Sequence, residues 1–368
     1  MSVGPLCLAG WILVLFSKSL YSLILVRILH GLALGVVYTV TPIYTAEIAE
    51  SRIRGRLVGM YQVIGSLGTI YSFSLGPYLE YDTFVFACLP LPIIFTIIWM
   101  FVPETPYYLL MTERVDKARK VLMYFRDGDV EEELEDMQKA VMEEMPKKKS
   151  WEILFSDKKE KKAFVIVQIV TITKFLTGIA SIKSYTLEMF SRSGSCLPPE
   201  VMSILLASLL TVISFIAAFL SDWVGRKPLL LLSCFGCFVA HFLSGGYYYI
   251  HEKTAIDASN YIYILYIGLA MYCIFIEIGL GPLLQILQSE MFGTTTRGIA
   301  AGITEGLASL ISLVTIKFYA PVNERYGAHV NFFFYSLVGL IGGVLLSFLM
   351  YETARKTIGQ METTPRNR

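Results

Sequence analysis

Long apolar runs separated by short polar segments make up most of the chain, and their length predicts helices that cross a membrane. Most runs hold around 20 residues, the number that spans about 30 Å of hydrocarbon as an α-helix. A transmembrane barrel would instead show shorter segments of alternating apolar and polar residues. The pattern predicts an all-α polytopic membrane protein with about ten spans. These lie near residues 3–17, 20–45, 57–79, 83–102, 163–190, 199–221, 228–250, 261–288, 298–320 and 329–350.

The composition agrees with a membrane protein and argues against several other classes. Charged residues make up 17% of the chain, whereas soluble domains carry about 25%. No basic surface typical of nucleic-acid binding, no metal cluster and no nucleophile–base arrangement is evident in the sequence. We therefore expect no enzyme activity, no nucleic-acid partner, no metal and no cofactor. Cys234 and Cys237 form a Cys-x-x-Cys motif on a predicted membrane helix, where two small packing residues are the simpler interpretation.

Segment 104–162 is the one sizeable polar part of the chain, and two amphipathic stretches predict helices within it. The first runs from Asp116 to Phe125, and the second, which is acidic, from Val130 to Met145. We expect a solvated helical linker between two membrane halves, which also allows a role in gating or lipid contact. The predicted apolar faces consist of Ala118, Val121, Leu122 and Phe125 in the first stretch, and of Leu134, Met137, Val141 and Met142 in the second.

Lysine and arginine are concentrated in alternate loops, and this distribution predicts the orientation in the membrane. Positive charges lie in the loops at 46–56, 222–228 and 289–297 and in the tail after residue 351, whereas the intervening loops carry few. Cytoplasmic loops are enriched in these residues. We therefore expect these loops and both ends of the given sequence to be cytoplasmic.

A spaced motif occurs twice and predicts two halves built on one plan. Glu47 precedes Arg54 by seven residues, and Glu290 precedes Arg297 by seven residues, each time with a glycine after the arginine. The second copy follows the first by 243 residues. Two copies between apolar spans indicate an internal repeat.

A second signal supports the same repeat. Glu104-Thr105 follows the fourth predicted span, Glu352-Thr353 follows the tenth, and the two are 248 residues apart. Parallel repeats of this kind are typical of transporters with two six-span halves. The second half has six predicted spans and the first has four, so we expect two spans and one loop to be missing before the first. The expected organisation is an incomplete first membrane half at 1–103, a cytoplasmic linker at 104–162, a second membrane half at 163–351 and a cytoplasmic tail at 352–368.

Acidic and basic residues recur at the helix ends on the predicted cytoplasmic side. Opposite charges on neighbouring helices can pair and hold that side shut, and an alternating-access cycle requires that such pairs can also break. The alternative is that each charge only anchors its helix at the lipid headgroups. We predict a gate in which the charges pair within their own half. Its residues are Glu47, Arg54, Asp222, Arg226, Glu290 and Arg297.

Taken together, these motifs resemble the sugar porter family of the major facilitator superfamily over nearly the whole chain. Within that family the chain is most similar to the insect trehalose- and sugar-transporter branch. The resemblance rests on the two Glu-x6-Arg-Gly motifs and on Asp222-x-x-Gly225-Arg226-Lys227, Pro103-Glu104-Thr105-Pro106, Glu352-Thr353 and Gly279-Leu280-Gly281-Pro282.

The resemblance implies a major facilitator fold and facilitated alternating-access transport of a sugar, either a hexose or a trehalose-like one. It further implies a monomer in the plasma membrane, whose partners are a small-molecule solute and the lipid bilayer. It adds Glu104, Glu277 and Glu352 to the predicted gating residues. Glycine and proline inside a span loosen a helix and remove a backbone hydrogen bond. The predicted hinge therefore consists of Gly279, Gly281 and Pro282.

The sugar pocket implied by the resemblance departs from the family pattern. Gln62 matches a family glutamine, and an amide suits sugar hydroxyls because it both donates and accepts hydrogen bonds. Thr177 and Gly178 are kept from the family's Gln-Gln-x-Ser/Thr-Gly-Ile-Asn motif, but both glutamines and the asparagine are replaced. A tryptophan and an asparagine of two further motifs are also replaced. The predicted substrate-binding residues are Gln62, Lys174, Thr177, Gly178, Gln285 and Glu305.

Lys174 and Glu305 are charged residues inside predicted spans, where a charge costs roughly 2.5–3.5 kcal/mol at the bilayer centre on insertion scales. We hypothesise that they pair across a central cavity, where they bind a charged or zwitterionic solute or lock the cavity. The alternative is that each side chain reaches water independently. Because the pocket has changed, several interpretations stay open: a sugar carrier, an incomplete gene model of such a carrier, a carrier of a different and charged solute, and a transport-inactive membrane receptor or sensor.

Overall fold

The computed structural model is all-α over the residues that it describes. No strand occurs within these ranges, and the helices are named α1 to α17 below in chain order. The backbone alone is described at residues 54, 140, 143–144, 150, 190–192, 221–223 and 294. The described ranges are 3–17, 19–50, 53–126, 130–144, 150–192, 198–254 and 261–350.

The first half of the membrane part consists of five helices. Ser19 begins the second of them by accepting a hydrogen bond from the backbone nitrogen of Ser22, which satisfies one of the free donors of a helix start. The fourth and fifth form a single bent crossing, because only Leu89 separates them and Pro90 is tolerated in the first turn of the fifth. The bounds are α1 Val3–Phe16, α2 Leu20–Ile48, α3 Arg54–Leu75, α4 Tyr81–Cys88 and α5 Pro90–Trp99.

Four short helices follow in the polar segment, and three of them pack around a small apolar core of their own. The predicted apolar stripe of the acidic helix holds for Leu134, Met137 and Val141, which are buried. It is wrong for Met142, which is 73% exposed, because it lies one residue and about 100° around the helix from Val141. The bounds are α6 Pro106–Met111, α7 Val115–Phe125, α8 Glu131–Glu144 and α9 Ser150–Ser156.

Arg126 ties this segment to the first half. Its guanidinium donates two hydrogen bonds of 2.9 Å to the carboxylate of Glu133, and a third of 2.9 Å to the backbone oxygen of Ile48 at the end of α2. A bidentate arginine–carboxylate pair has a fixed geometry. The segment is therefore attached to α2 by a specific contact.

The second half consists of eight helices, and two of its crossings are interrupted. One interruption lies at Thr177 and Gly178 between α10 and α11, and the other lies at Gly279 between α14 and α15. Within this half α13 packs between α14 and α17. The bounds are α10 Lys158–Leu176, α11 Ile179–Arg192, α12 Pro199–Val224, α13 Arg226–Lys253, α14 Tyr263–Ile278, α15 Leu280–Glu290, α16 Thr294–Tyr326 and α17 Ala328–Leu349.

Each of the ten predicted spans coincides with one helix or with two consecutive helices. Among the described residues, eight helical stretches are long and apolar enough to cross a membrane. The two others are α1, which has 14 residues, and α3, whose polar residues such as Gln62 and Ser66 lower its hydropathy. The predicted all-α polytopic class is confirmed.

The two halves meet mainly where α3 packs along α12 and α2 packs along α16, with α15 against both α2 and α3. At the first contact an added Cβ on Gly59 would lie 3.2 Å from the Cβ of Ala218. Small residues at a crossing allow two membrane helices to approach closely. The halves thus touch over helix faces, and a cavity opens beside these contacts.

Candidate functional site

A central cavity of about 1070 Å³ lies between the two halves. Its walls come from α2 and α3 on one side and from α10, α11, α14, α15 and α16 on the other. Polar and charged side chains on the wall include Gln62, Lys174, Lys183, Glu277, Gln285 and Glu305.

The cavity occupies the middle of the bundle. On α2 its lining begins at Arg27 and stops at Val40, before Glu47. On α16 it begins at Gly302, after Arg297. Glu47 and Arg297 lie at the same end of α2 and α16, and the cavity stops short of both charges. We call the end with Glu47, Arg226, Glu290 and Arg297 the charged end.

The interruption between α10 and α11 positions Lys174 one turn before it. Gly178 has a φ of +82°, and an added Cβ would lie 2.5 Å from the ring of Tyr335. Glycine adopts this conformation without a steric penalty. Thr177 is fully buried, and its hydroxyl donates a hydrogen bond of 2.8 Å to the backbone oxygen of Lys174. Thr177 and Gly178, predicted to bind substrate, thus lie at the helix interruption and not on the cavity wall.

The interruption between α14 and α15 lies at Gly279, one of the three predicted hinge residues. An added Cβ there would lie 2.5 Å from the backbone oxygen of Leu229. The backbone nitrogen of Leu280 donates a hydrogen bond of 3.1 Å to the hydroxyl of Ser233. Gly281 and Pro282 lie in the first turn of α15, where a proline removes no helical hydrogen bond. The break therefore occurs before the proline.

Glu277 joins the halves at the level of the cavity. Its carboxylate accepts a hydrogen bond of 2.8 Å from the hydroxyl of Ser214 on α12, and one of 3.4 Å from the amide of Gln62 on α3. It is 1% exposed. The resemblance placed Glu277 among the gating residues. In the structure it lies beside the cavity, in the middle of a span and away from the charged end.

Lys174 and Glu305 line the same cavity, but they form no direct ion pair in this structure. The ammonium of Lys174 donates a hydrogen bond of 3.0 Å to the backbone oxygen of Gly281. The carboxylate of Glu305 accepts one of 3.3 Å from the amide of Gln288. The hypothesis of a pair across the cavity is therefore not realised in this conformation, because each charge is engaged by a neutral group of its own surroundings.

Gln285 carries an acceptor atom without a partner. Its side chain is 2% exposed, lines the cavity, and its amide oxygen has no hydrogen-bond partner among the described residues. A buried polar atom without a partner is costly. Gln285 therefore has an unused acceptor atom beside the cavity.

Two ion pairs lie at the charged end. Arg226 and Glu290 are 2.9 Å apart within the second half. Arg297 of α16 lies 3.8 Å from Glu47 of α2, so this pair connects the two halves. Both arginines are largely buried, with side chains 5% and 6% exposed. The sequence predicts pairs within each half, and the packing of α2 against α16 adds this pair between the halves.

Four further predicted gating residues contribute no described contact. The side chains of Arg54 and Asp222, and the whole of Glu352, lie outside the described parts of the structure. Glu104 is exposed and has no ion pair or hydrogen bond with a described side chain. Its neighbour Thr105 caps α6 by accepting a hydrogen bond of 3.2 Å from the backbone nitrogen of Tyr108.

Sequence patterns gave no indication of Glu160 as a contact at the charged end. Its carboxylate accepts hydrogen bonds of 3.1 Å from the backbone nitrogen of Gly293 and of 2.8 Å from the hydroxyl of Thr296. It thereby caps the start of α16, one turn before Arg297. Glu160 lies in a lysine-rich stretch that resembles a solvated linker, and no periodicity relates it to α16.

A comparison with protein families shows to which family the chain belongs. The family described as "Sugar (and other) transporter" matches residues 1–364. The chain belongs to this family. The match confirms the resemblance to sugar porters. Together with the apolar helices, it shows that the chain belongs to a family of multi-pass membrane transporters.

Curated relatives are similar over nearly the whole chain. The "Facilitated trehalose transporter Tret1" of Polypedilum vanderplanki is 26% identical over 359 residues, which are 96% of this chain and 71% of that protein. The protein of the same name from Drosophila virilis is 26% identical over 360 residues, which are 96% of this chain and 39% of that protein. The chain thus covers 71% of the length of the first relative and 39% of the length of the second.

Solved structures of a major facilitator protein have the same fold. The proton:xylose symporter XylE bound to 6-bromo-6-deoxy-D-glucose superposes with a TM-score of 0.79 at 18% identity, over 98% of this chain and 82% of that one. The inward-open conformation of XylE from E. coli gives a TM-score of 0.67 at 20% identity, over 98% and 80% of the two chains. The predicted major facilitator fold is confirmed.

Proposed function

We propose that the chain carries a sugar across the plasma membrane by facilitated alternating access, with the central cavity as the solute site. The observation that carries the proposal is the arrangement of cavity and charges. The cavity lies between the two halves, and the Glu47–Arg297 ion pair joins the halves at the charged end, beyond the lining of the cavity. Membership of the Sugar (and other) transporter family and the similarity to proteins named facilitated trehalose transporters support a sugar as the solute.

Two amide side chains provide the hydrogen-bonding groups for sugar hydroxyls in this proposal. Gln62 and Gln285 lie on opposite halves and face one cavity. A hydroxyl both donates and accepts, as an amide does, so either side chain can serve it in two orientations. The unpaired oxygen of Gln285 accepts from the solute, which removes the cost of leaving that oxygen buried and unsatisfied.

Alternation requires contacts that can break between the halves. The Glu47–Arg297 pair at 3.8 Å and the Gln62–Glu277 hydrogen bond at 3.4 Å both connect the first half to the second. Rocking of one half against the other would separate the first pair and open the charged end to the solute. The interruption at Gly279 lies beside this interface and supplies the hinge.

We propose further that the charged end faces the cytoplasm and that the protein works as a monomer. The loops rich in lysine and arginine adjoin the charged end, as expected for the cytoplasmic side. One chain supplies walls to the cavity from both halves, which supports transport by a single chain.

Uptake into proteoliposomes tests the proposal. Vesicles that contain the full chain are expected to accumulate radiolabelled glucose or trehalose faster than protein-free vesicles. Gln285→Ala removes the acceptor in the cavity and is expected to lower uptake about tenfold, the effect of losing roughly 1.4 kcal/mol. The control Lys317→Gln changes an exposed residue of α16 outside the cavity and is expected to transport normally. Absence of uptake of both sugars by a chain with a cooperative unfolding transition would contradict the proposal.

A membrane receptor or sensor is the second candidate, and the charges in the cavity favour it. Lys174 and Glu305 are 8% and 9% exposed, and they stand where the sugar-porter pattern has neutral amides, so the pocket of a sugar carrier is altered. A receptor would bind the solute, seen as a raised unfolding temperature, without carrying it into vesicles. Uptake above that of protein-free vesicles would eliminate this candidate.

A further inference from the structure

Three cationic side chains on the cavity wall form no direct ion pair with a described carboxylate. They belong to Arg27 on α2, Lys174 on α10 and Lys183 on α11. Within the part of the chain that the structure describes, no carboxylate oxygen lies within 4.0 Å of any of these cations. The wall therefore carries one more positive than negative charge, and none of its cations is in direct contact with a described carboxylate.

Lys174 is the most buried of the three cations. It is 8% exposed, and its described hydrogen bond goes to the neutral backbone oxygen of Gly281. An ammonium has three donors, so two are left for a molecule in the cavity. Cations inside a membrane span are costly and are found along the paths of ions and solutes.

The two acidic groups on the wall are already engaged by neutral donors. Glu277 accepts hydrogen bonds from Gln62 and Ser214, at 3.4 Å and 2.8 Å. Glu305 accepts one from Gln288 at 3.3 Å. These contacts orient the carboxylates toward their own partners, so the cations keep free donors while the acids are partly satisfied.

Two of the three cations lie on the side of the cavity that is away from the charged end. Arg27 precedes Glu47 by 20 residues on α2, which is about 30 Å along a helix. Lys183 lies on α11, beyond the interruption at Gly178 and away from the charged end. Positive charge therefore continues from the end opposite to the charged end down to Lys174. Such a distribution attracts anions into a cleft.

We infer that the cavity binds a sugar that carries a carboxylate, such as a uronate, and that the ammonium of Lys174 binds this carboxylate. Three cations and two acids on the wall leave one positive charge, which a single carboxylate neutralises. A phosphate ester carries about −1.5 to −2 and would leave an excess of negative charge. The inference rests on the proposed function, since it takes the cavity as the solute site.

Binding to the purified full chain tests the inference apart from transport. The unfolding temperature in detergent is measured against rising concentrations of glucuronate, glucose and glucose 6-phosphate at constant ionic strength. The native chain is expected to bind glucuronate about tenfold more tightly than glucose, because charge-assisted hydrogen bonds are the stronger ones. Lys174→Gln is expected to abolish this preference, so that the variant binds glucuronate and glucose with equal affinity. Lys317→Gln, an exposed lysine outside the cavity, is expected to keep the preference.

Uptake of the same three solutes into proteoliposomes separates the two proposals. Two results would overturn the carboxylate inference and leave the sugar carrier standing. In the first, the native chain binds glucose as tightly as glucuronate. In the second, the preference for glucuronate survives in Lys174→Gln. Tighter binding of glucose 6-phosphate than of glucuronate overturns the assignment to a carboxylate. Glucuronate binding with no uptake of any solute supports the inference and overturns the carrier. Absence of binding by both glucose and glucuronate overturns both.

Discussion

Gly178 interrupts the helix that carries Lys174 and sets the course of the next one. Its φ of +82° lies in the left-handed region, which any residue with a Cβ enters only with strain. The ring of Tyr335 fills the space that a Cβ would need. Because α11 begins at Ile179, the direction in which Lys183 reaches the cavity depends on this one residue.

Gly178→Ala is therefore expected to destabilise the protein. The left-handed backbone costs of order 1–3 kcal/mol for a non-glycine residue, and displacement of Tyr335 adds to it. The measurement is thermal unfolding in detergent. Gly246→Ala is the matched control, because no atom lies within 4 Å of its added Cβ. Equal unfolding temperatures for the two variants would contradict the role assigned to Gly178.

Single positions show what a sequence can and cannot predict about the site. Gln62, Lys174, Gln285 and Glu305 were predicted to share a cavity, and all four line it. Thr177, predicted with them, instead donates a hydrogen bond to the backbone of its own helix end. Family motifs indicate which positions lie near the solute path. The direction of one side chain depends on where the helix stops, which the motif does not contain.

At the scale of elements, α13 supports the interruption between α14 and α15. The hydroxyl of Ser233 on α13 accepts the hydrogen bond of the Leu280 backbone nitrogen, which has no helical acceptor at the start of α15. The absence of a side chain at Gly279 allows α13 to approach. The break is therefore a packed and hydrogen-bonded joint between three helices.

Ser233→Ala is expected to destabilise this joint by about 1–3 kcal/mol, the cost of a buried donor left without a partner. Ser244→Ala is the control on the same helix. Ser244 is also buried, but its hydroxyl only donates to the backbone oxygen of Ala240, one turn earlier, so its loss leaves no donor unsatisfied. Thermal unfolding of both variants provides the comparison. A loss of stability as large for Ser244→Ala as for Ser233→Ala would argue against the joint.

The elements themselves were the most predictable part of the structure. Ten apolar runs coincide with ten helical stretches, because run length and hydropathy are local properties of the chain. The broken crossings were foreseen at Gly279 but not at Gly178, where the sequence was interpreted as a binding motif. The cap that Glu160 forms on α16 could not be predicted, since it joins residues 133 positions apart without any pattern.

For the whole molecule, polar contacts between described residues connect the two halves at two levels. Arg297 pairs with Glu47 across the charged end, and Gln62 bonds to Glu277 beside the cavity. The sequence predicted charges at this end but assigned their partners within each half. Only the packing of α2 against α16 decides which acid reaches which arginine. A contact that crosses the halves is the kind that an alternating-access cycle has to break.

A reversible cross-link across the charged end tests this account most directly. In the double variant Glu47→Cys/Arg297→Cys, a bifunctional thiol reagent joins α2 to α16, and a reducing agent releases them. The native chain, treated in the same way, controls for its own cysteines, and mass spectrometry confirms the link. The account predicts that sugar uptake falls to the level of protein-free vesicles when the link forms and returns on reduction. Undiminished uptake by fully cross-linked protein would contradict it.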